Sequence, residues 1–334
     1  MTIENKNKLF SSKELKDRYF LSEKEQEFIH LSRQKAKDLL KGKDKRKAII
    51  LGPCSIHDDL SVMDYAKRLK RLSENVKDSF FCILRFFIEK PRTHLGWKGY
   101  IYDPGLDGSN DMALGITKAR KILLELTKMQ IPCCMEFLDP LLSPYFDDLI
   151  TWGFIGSRTC QSQIHRQLAS SLDFPIGFKN PSDTDITSAI FSAHSASLPH
   201  SFLSVDETAQ MNCKKSLGNA FTHIVLRGKT KKVNYDPVSV EKAHKLLCKY
   251  SILDRLLIDC SHGNKPQEAA FSSVIDQIKK GTDCIAGIML ESFLKKGNQD
   301  ITNNPLEYGL SITDECLGWE ETENMILDAK NILA

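Results

Sequence analysis

An α/β fold is predicted, a closed (β/α)8 TIM barrel with an N-terminal helical arm and an extra β-hairpin before strand six. Three observations predict it. From residue 46 onward, short apolar runs of strand length alternate with helical patterns. Eight such runs occur, the count for a closed parallel barrel, and no Gly-rich fingerprint follows an early one, as an open doubly wound sheet would require. Polar and charged side chains gather just after the runs, where a barrel places its site.

Residues 1–45 are strongly charged, with a weak helical stripe of Leu31, Ala36, Leu39 and Leu40 that ends near Gly42. They predict an arm of one or two helices, set apart from a catalytic barrel over 46–334 and suited to oligomer or regulatory contacts. The strands are expected at 48–51, 81–87, 133–137, 154–156, 176–178, 223–226, 255–258 and 285–290. Helical stretches follow at 63–76, 116–129, 161–172, 240–250 and 269–278, and a final helix at 321–332. The run 201–205 also has strand character, and it sits where a hairpin would interrupt the rhythm before the sixth barrel strand.

The chain has 334 residues, enough for a sizeable core. Its 46 Lys+Arg against 43 Asp+Glu leave a formal charge of only +3, so no global field points to nucleic acid and each basic cluster reads as a local site. Ten scattered cysteines without a CxxC pair predict reduced, mostly buried thiols in the cytoplasm. The start of the chain has no apolar signal core, and Arg85 breaks the longest apolar run, so neither a signal peptide nor a membrane span is expected.

That arginine opens the functional argument. A lone guanidinium in a buried strand costs several kcal/mol unless an anion meets it. The partner is either a protein carboxylate, with Glu89 the nearest in sequence, or an anion brought from outside. Lys90, Arg92 and Lys98 just downstream favour the second. Arg158, Lys179 and Arg227 follow three further strands, and such a ring of cations would repel itself without a polyanionic ligand. A second set, Cys54, His262, Glu291 and Asp314, also lies after strands and offers S, N and O donors suited to Mn, Fe, Co or Zn. No short spacing links the four. Taken singly, a packed thiol explains Cys54 and a hydrogen-bonded loop residue explains His262. Glu136 either orders a water or relays a proton, or simply balances charge.

The longer motifs carry a resemblance. GPCSIHD (52–58), EKPRT (89–93) with GWKG (96–99), EFLDP (136–140), GSRT (156–159) and GFKN (177–180) are followed in order by LRG (226–228), DCSHGN (259–264), ES (291–292), GNQ (297–299) and SITD (311–314). Together they resemble the class I 3-deoxy-D-arabino-heptulosonate 7-phosphate (DAHP) synthases of the microbial aromatic-amino-acid-sensitive type, from about residue 11 to 330. The resemblance implies a transferase at the first step of the shikimate pathway, joining phosphoenolpyruvate to erythrose 4-phosphate. It implies one divalent metal ion held by Cys54, His262, Glu291 and Asp314. It implies phosphoenolpyruvate on Arg85, Lys90, Arg158, Lys179 and Arg227 with the backbone at Ser157, the sugar phosphate on Arg92 and Thr93, and a water on Glu136. It also implies a homodimer or homotetramer. Lys90 is expected to handle protons, its pKa lowered by neighbouring arginines.

Three departures stand out. Lys229 replaces a second glycine after Arg227-Gly228 and is followed by Thr230, Lys231 and Lys232. Pro181-Ser182-Asp183-Thr184 replaces an Asp-Gly turn. The stretch 206–217, where relatives shape an aromatic effector pocket with the arm, is unusually polar, so an altered or absent pocket and weak inhibition by phenylalanine are expected. Two rivals are weighed. The related arabinose 5-phosphate synthase is opposed by the KPRT and GWKG motifs, and a non-catalytic sensor by the presence of Cys54, Lys90, His262 and Asp314.

Overall fold

The computed structural model describes residues 9–181, 186–229, 232–250 and 252–334. Eight parallel strands close the predicted barrel: β1 (Lys47–Gly52), β2 (Phe80–Arg85), β3 (Cys133–Glu136), β4 (Trp152–Ile155), β5 (Ile176–Lys179), β8 (Thr222–Arg227), β9 (Leu256–Asp259) and β10 (Ile285–Glu291). The remaining pair, β6 (His200–Val205) and β7 (Met211–Ser216), is the extra hairpin, an antiparallel sheet of its own. Leu51 of β1 lies level with both Leu84 of β2 and Leu290 of β10, which closes the ring.

Side-chain alternation along these strands decides what the site contains. Ile50, Ile83, Cys134, Phe154, Val225, Leu257 and Met289 pack together with helix α2 residues Ala36, Leu39 and Leu40 in one buried cluster. This cluster is the barrel interior, stoppered at its N-terminal end by α2 (Glu23–Leu40). Two residues further along the same strands, the same parity gives Arg85, Glu136, Arg227, Asp259 and Glu291. The apolar filling therefore runs straight into a layer of charge. The opposite parity, with Ile49, Leu51, Leu84, Leu226 and Ile258, packs outward on the helices in the main core.

Both arm helices begin with a capping box, Ser11 with Glu14 on α1 (Ser12–Arg18) and Ser22 with Glu25 on α2. Arg120, fully buried, ties the arm to the barrel. Its Nε donates to the Tyr19 carbonyl at 2.9 Å, one Nη to the Tyr145 carbonyl at 2.9 Å, and both Nη atoms to Asp148 at 2.9 and 2.7 Å.

One expectation needs correction, and two segments given no helix above take shape. Leu31 is 49% exposed and does not join the buried stripe, whose first member is Ile29. No full helix follows β3. Pro140 and Pro144 lack the N–H that a helix interior needs, and short 3-10 and α turns run from Pro140 to Leu149 instead. An unanticipated helix, Thr187–Ala196, follows β5; its small residues give no hydrophobic stripe, yet Ala189, Ile190, Ala193 and Ala196 are buried. All ten cysteines are free, with Cys213 and Cys248 exposed. Among the described residues no helix is long and apolar enough to cross a membrane.

Replacing Arg120 by Met strands the Tyr19 and Tyr145 carbonyls and the half-buried Asp148. The expected loss is about 2–4 kcal/mol in urea unfolding, with earlier proteolytic cleavage in the arm. An unchanged midpoint would show that the arm is not anchored there.

Candidate active site

The charged layer opens on a cavity of about 330 Å3 at the C-terminal mouth of the barrel. Cys54, Arg85, Lys90, Arg92, Thr93, Glu136, Ser157, Arg158, Lys179, Arg227, His262 and Asp314 all line it. Glu291 is the one candidate that does not; it is 1% exposed and lies beneath Arg85. Two glycines permit this geometry. A Cβ on Gly156 would stand 2.2 Å from Glu136 Oε1, so the bare backbone of β4's end gives that carboxylate its room. Gly99, at φ +118°, lets the loop from Lys90 close where a Cβ would meet the Ile88 carbonyl at 2.4 Å. The Lys90 amide donates to the Lys98 carbonyl at 2.7 Å across the loop's base.

The cations fall into two sets. The inner three each meet an acid. Arg85 Nη2 lies 2.9 Å from Glu291 Oε1, Lys90 Nζ 2.7 Å from Asp314 Oδ2, and Lys179 Nζ 2.9 Å from Asp259 Oδ2. Arg85 also donates to the Cys54 carbonyl at 2.7 Å, with its guanidinium over the Phe87 ring. Its charge is thus met by Glu291 rather than Glu89, while its buried Nε has no hydrogen-bond partner among the described residues. The outer three, among the described residues, have only neutral partners. Arg92 Nε donates to the Trp97 carbonyl at 2.9 Å, Arg158 Nε to Thr93 Oγ1 at 3.4 Å, and Arg227 Nη1 to Ser157 Oγ at 2.9 Å.

On the opposite wall, ligand atoms of Cys54, Glu291 and Asp314 all lie within 4.8 Å of one another, with Cys54 Sγ 3.3 Å from Asp314 Oδ2. His262 falls outside that tight group, its Nε2 3.5 Å from Glu291 Oε1. The donors suit a divalent ion. Glu291 Oε1 is buried with no donor aimed along its acceptor direction, because the Arg85 contact is ionic rather than a directed hydrogen bond. The Lys90 ammonium, 2.7 Å from both Cys54 Sγ and Asp314 Oδ2, stands where a cation is wanted. A sulfur, a ring nitrogen and two carboxylates make a borderline-soft set.

Electrostatics follow from this crowding. Burial pushes the Cys54 thiol up to about 11, with Glu291 adding to the shift and Lys90 and Arg85 opposing it. Burial opposes the charge on Lys90, but Cys54, Glu291 and Asp314 outweigh it and hold its pKa above the ordinary lysine value. The expected lowering is thus reversed, because Lys90's near neighbours are acids rather than arginines. Burial would raise Asp314, yet Lys90 beside it holds its carboxyl well below the usual range. Glu89 goes the other way. Buried beneath the loop, it accepts from the Leu138 and Asp139 amides at 3.1 and 3.3 Å and from the Tyr102 hydroxyl at 3.3 Å, and burial raises it to about 8.

Sequence reading missed Asp259, which meets both Lys179 and His262, and the amides that brace β8. Asn180 Oδ1 accepts from the Arg227 amide at 2.8 Å, and Asn264 Nδ2 donates to Asn234 Oδ1 at 3.0 Å. Asp259, Asn180 and Asn264 lie inside quoted motifs, which was the available signal. Of the departures, Lys229 and Lys232 close a tight two-stranded bridge. Thr230, Lys231, Ser182, Asp183 and Thr184 lie outside the described residues.

A parallel barrel with an arginine-rich cavity and a metal-type donor corner at its C-terminal mouth is an enzyme of phosphorylated, anionic substrates. Comparison with known proteins narrows this. The family model of the DAHP synthetase I family matches residues 21–327. The chain is 40% identical over 331 residues to the Tyr-sensitive phospho-2-dehydro-3-deoxyheptonate aldolase of Escherichia coli K12, covering 97% of this chain and 93% of that protein. It is 43% identical over 301 residues to the Trp-sensitive enzyme of the same organism, covering 88% and 86%. The solved structure of the phospho-2-dehydro-3-deoxyheptonate aldolase of Francisella tularensis SCHU S4 superposes with a TM-score of 0.95 at 38% identity over the whole of both chains. The chain belongs to the DAHP synthetase I family.

Glu89 gives a pH test. Its unfolded carboxyl releases its proton near 4.5 and its folded one near 8, so between those values the native state holds more protons and stability falls as pH rises. Glu89→Gln should flatten that slope, worth about 1–4 kcal/mol across the window. Denaturant midpoints measured from pH 5 to 8.5 check it, and parallel curves for the two proteins would contradict it.

Proposed function

We propose that the cavity seats phosphoenolpyruvate and erythrose 4-phosphate side by side and that a divalent metal ion serves their condensation. The reaction itself follows from family membership: phosphoenolpyruvate, D-erythrose 4-phosphate and water give DAHP and inorganic phosphate, the entry to aromatic amino-acid biosynthesis. The observation that carries the residue-level reading is the set of three arginines without an acid partner among the described residues, Arg92, Arg158 and Arg227, around one cavity.

In this reading Arg158, Lys179 and Arg227, with Ser157, hold phosphoenolpyruvate, and Arg85 and Lys90 complete its seat from the inner wall. Arg92 and Thr93 take the sugar phosphate. Cys54, His262, Glu291 and Asp314 would hold the metal, whether Mn, Fe, Co or Zn, and the bound ion supplies Lewis acidity toward the aldehyde oxygen. Holding both substrates turns a bimolecular bond formation into an intramolecular one. The enol C3 forms its bond to the aldehyde carbon, which leaves C2 electron-poor. Glu136 holds the water whose oxygen bonds to C2 and accepts the proton that water loses. The hemiketal phosphate then breaks its C2–O bond to phosphate, phosphate departs with the electron pair and takes up the C2 hydroxyl proton, and the ketone remains. Lys90, kept protonated by its acidic neighbours, acts as a proton donor to the developing alkoxide rather than as a base.

The arm, residues 1–45, is proposed as an oligomer contact of a cytoplasmic homodimer or homotetramer, supported by Phe20 and Leu31 at 71% and 49% exposure. The polar hairpin does not abolish the neighbouring cavity. About 530 Å3 lies between Phe202–Val205 and the turns after β3, with Lys214 at its edge. An altered effector preference, with weak response to phenylalanine, remains the proposal there.

Phosphate release from phosphoenolpyruvate plus erythrose 4-phosphate in the presence of Mn2+, with arabinose 5-phosphate as control, tests the function. Lys90→Met should lower kcat by about 100- to 10,000-fold while phosphoenolpyruvate still binds. Release with arabinose 5-phosphate alone would favour the rival synthase, and near-normal turnover of K90M would remove Lys90 from proton transfer.

A further inference from the structure

We propose that Asp259 is a positioning residue that couples metal affinity at His262 to phosphoenolpyruvate affinity at Lys179. The proposal rests on the reading of those two residues given above. Asp259 ends β9, is 0% exposed and does not line the cavity, so it acts only through other side chains. One carboxylate oxygen is pinned. Oδ1 accepts from Ser261 N at 2.9 Å, from Ser261 Oγ at 2.6 Å and from His262 N at 3.3 Å. The other is shared: Oδ2 lies 2.9 Å from Lys179 Nζ and 3.0 Å from His262 Nδ1. The carboxylate cannot swing to favour either donor, so the two compete for one oxygen.

The chemistry of that sharing sets the direction. With Nδ1–H donated to Asp259, a neutral His262 keeps its Nε2 lone pair toward the Glu291 corner. When that lone pair is given to a cation, the ring withdraws electrons from Nδ1–H, which becomes a stronger donor. His262 then takes a larger share of Oδ2, and Lys179 is left with more of its charge for an incoming phosphate. Linkage makes the effect reciprocal, so phosphoenolpyruvate bound at Lys179 strengthens metal binding by the same factor. Lys179 is only 4% exposed and reaches the cavity wall, so the shared oxygen and the cavity are the two places its charge can go.

The test is a thermodynamic cycle on the purified full-length protein. Phosphoenolpyruvate affinity is measured by calorimetry with and without Mn2+, for the wild type and for Asp259→Asn. The wild type should bind about tenfold more tightly with Mn2+, within the usual range of coupling between sites, and D259N should bring that ratio close to one. A part with only a structural role would weaken both affinities and leave the ratio intact, which overturns the proposal. A low-field Nδ1–H proton resonance of His262, shifting on metal addition and lost in D259N, is the second readout. If D259N fails to fold, Asp259→Glu keeps the charge, displaces the shared oxygen by one methylene and should abolish the ratio equally. A wild type that binds phosphoenolpyruvate equally with and without Mn2+ overturns the coupling alone. A wild type that binds none overturns the functional reading beneath it.

Discussion

Converging positive charge is the constraint on which this structure depends. A closed barrel aims every second side chain at one axis, and here the last inward layer includes Arg85, Lys179 and Arg227. The fold tolerates them by interleaving acids of the same layer. Glu291 neutralises Arg85, and Asp259 neutralises Lys179. Arg92, Arg158 and Arg227 have no acid partner among the described residues, and they line the cavity, where solvent or a substrate can meet the charge. The inner pairs hold the framework, and both sets line the cavity in which the proposed substrate seats lie.

Several features serve that division. The α2 residues Ala36, Leu39 and Leu40 stopper the barrel's lower end, so the apolar filling beneath the charged layer stays dry. Gly156 leaves space for Glu136 beside the cations. Glu89 anchors the base of the Lys90–Lys98 loop to the segment after Glu136, so Lys90, Arg92 and Glu136 are carried on one braced unit. The arm is fastened by Arg120 far from the chemistry, which leaves the mouth of the barrel open.

Much of this was legible in the sequence because barrels write themselves in alternation. Arg85 in an apolar run marked an inward charge, and twelve of the thirteen candidate side chains line the cavity, with Glu291 just beneath it. Pairings were not legible. Arg85 and Glu291 are over two hundred residues apart, and strand β1, which lies between their strands, is what brings them together. Lys179 and Asp259 likewise meet across β8, so Asp259 gave no local signal beyond its place in a motif. The Lys90 pKa was misjudged for the same reason, since its true neighbours come from strand one's loop and the loop near residue 314. Helix Thr187–Ala196 was missed because burial through alanines leaves no hydrophobic periodicity.

The contrast between an arginine paired with a buried acid and one with only neutral partners among the described residues is tested most directly by two arginine variants in one calorimetric and unfolding series. Arg227→Met should weaken phosphoenolpyruvate binding by about 10–100-fold, the loss of a charge-assisted contact, with the unfolding midpoint nearly unchanged. Arg85→Met strands Glu291 and should instead lower stability by about 3–5 kcal/mol. If R227M binds phosphoenolpyruvate like the wild type, or if R85M is as stable as the wild type, the account fails.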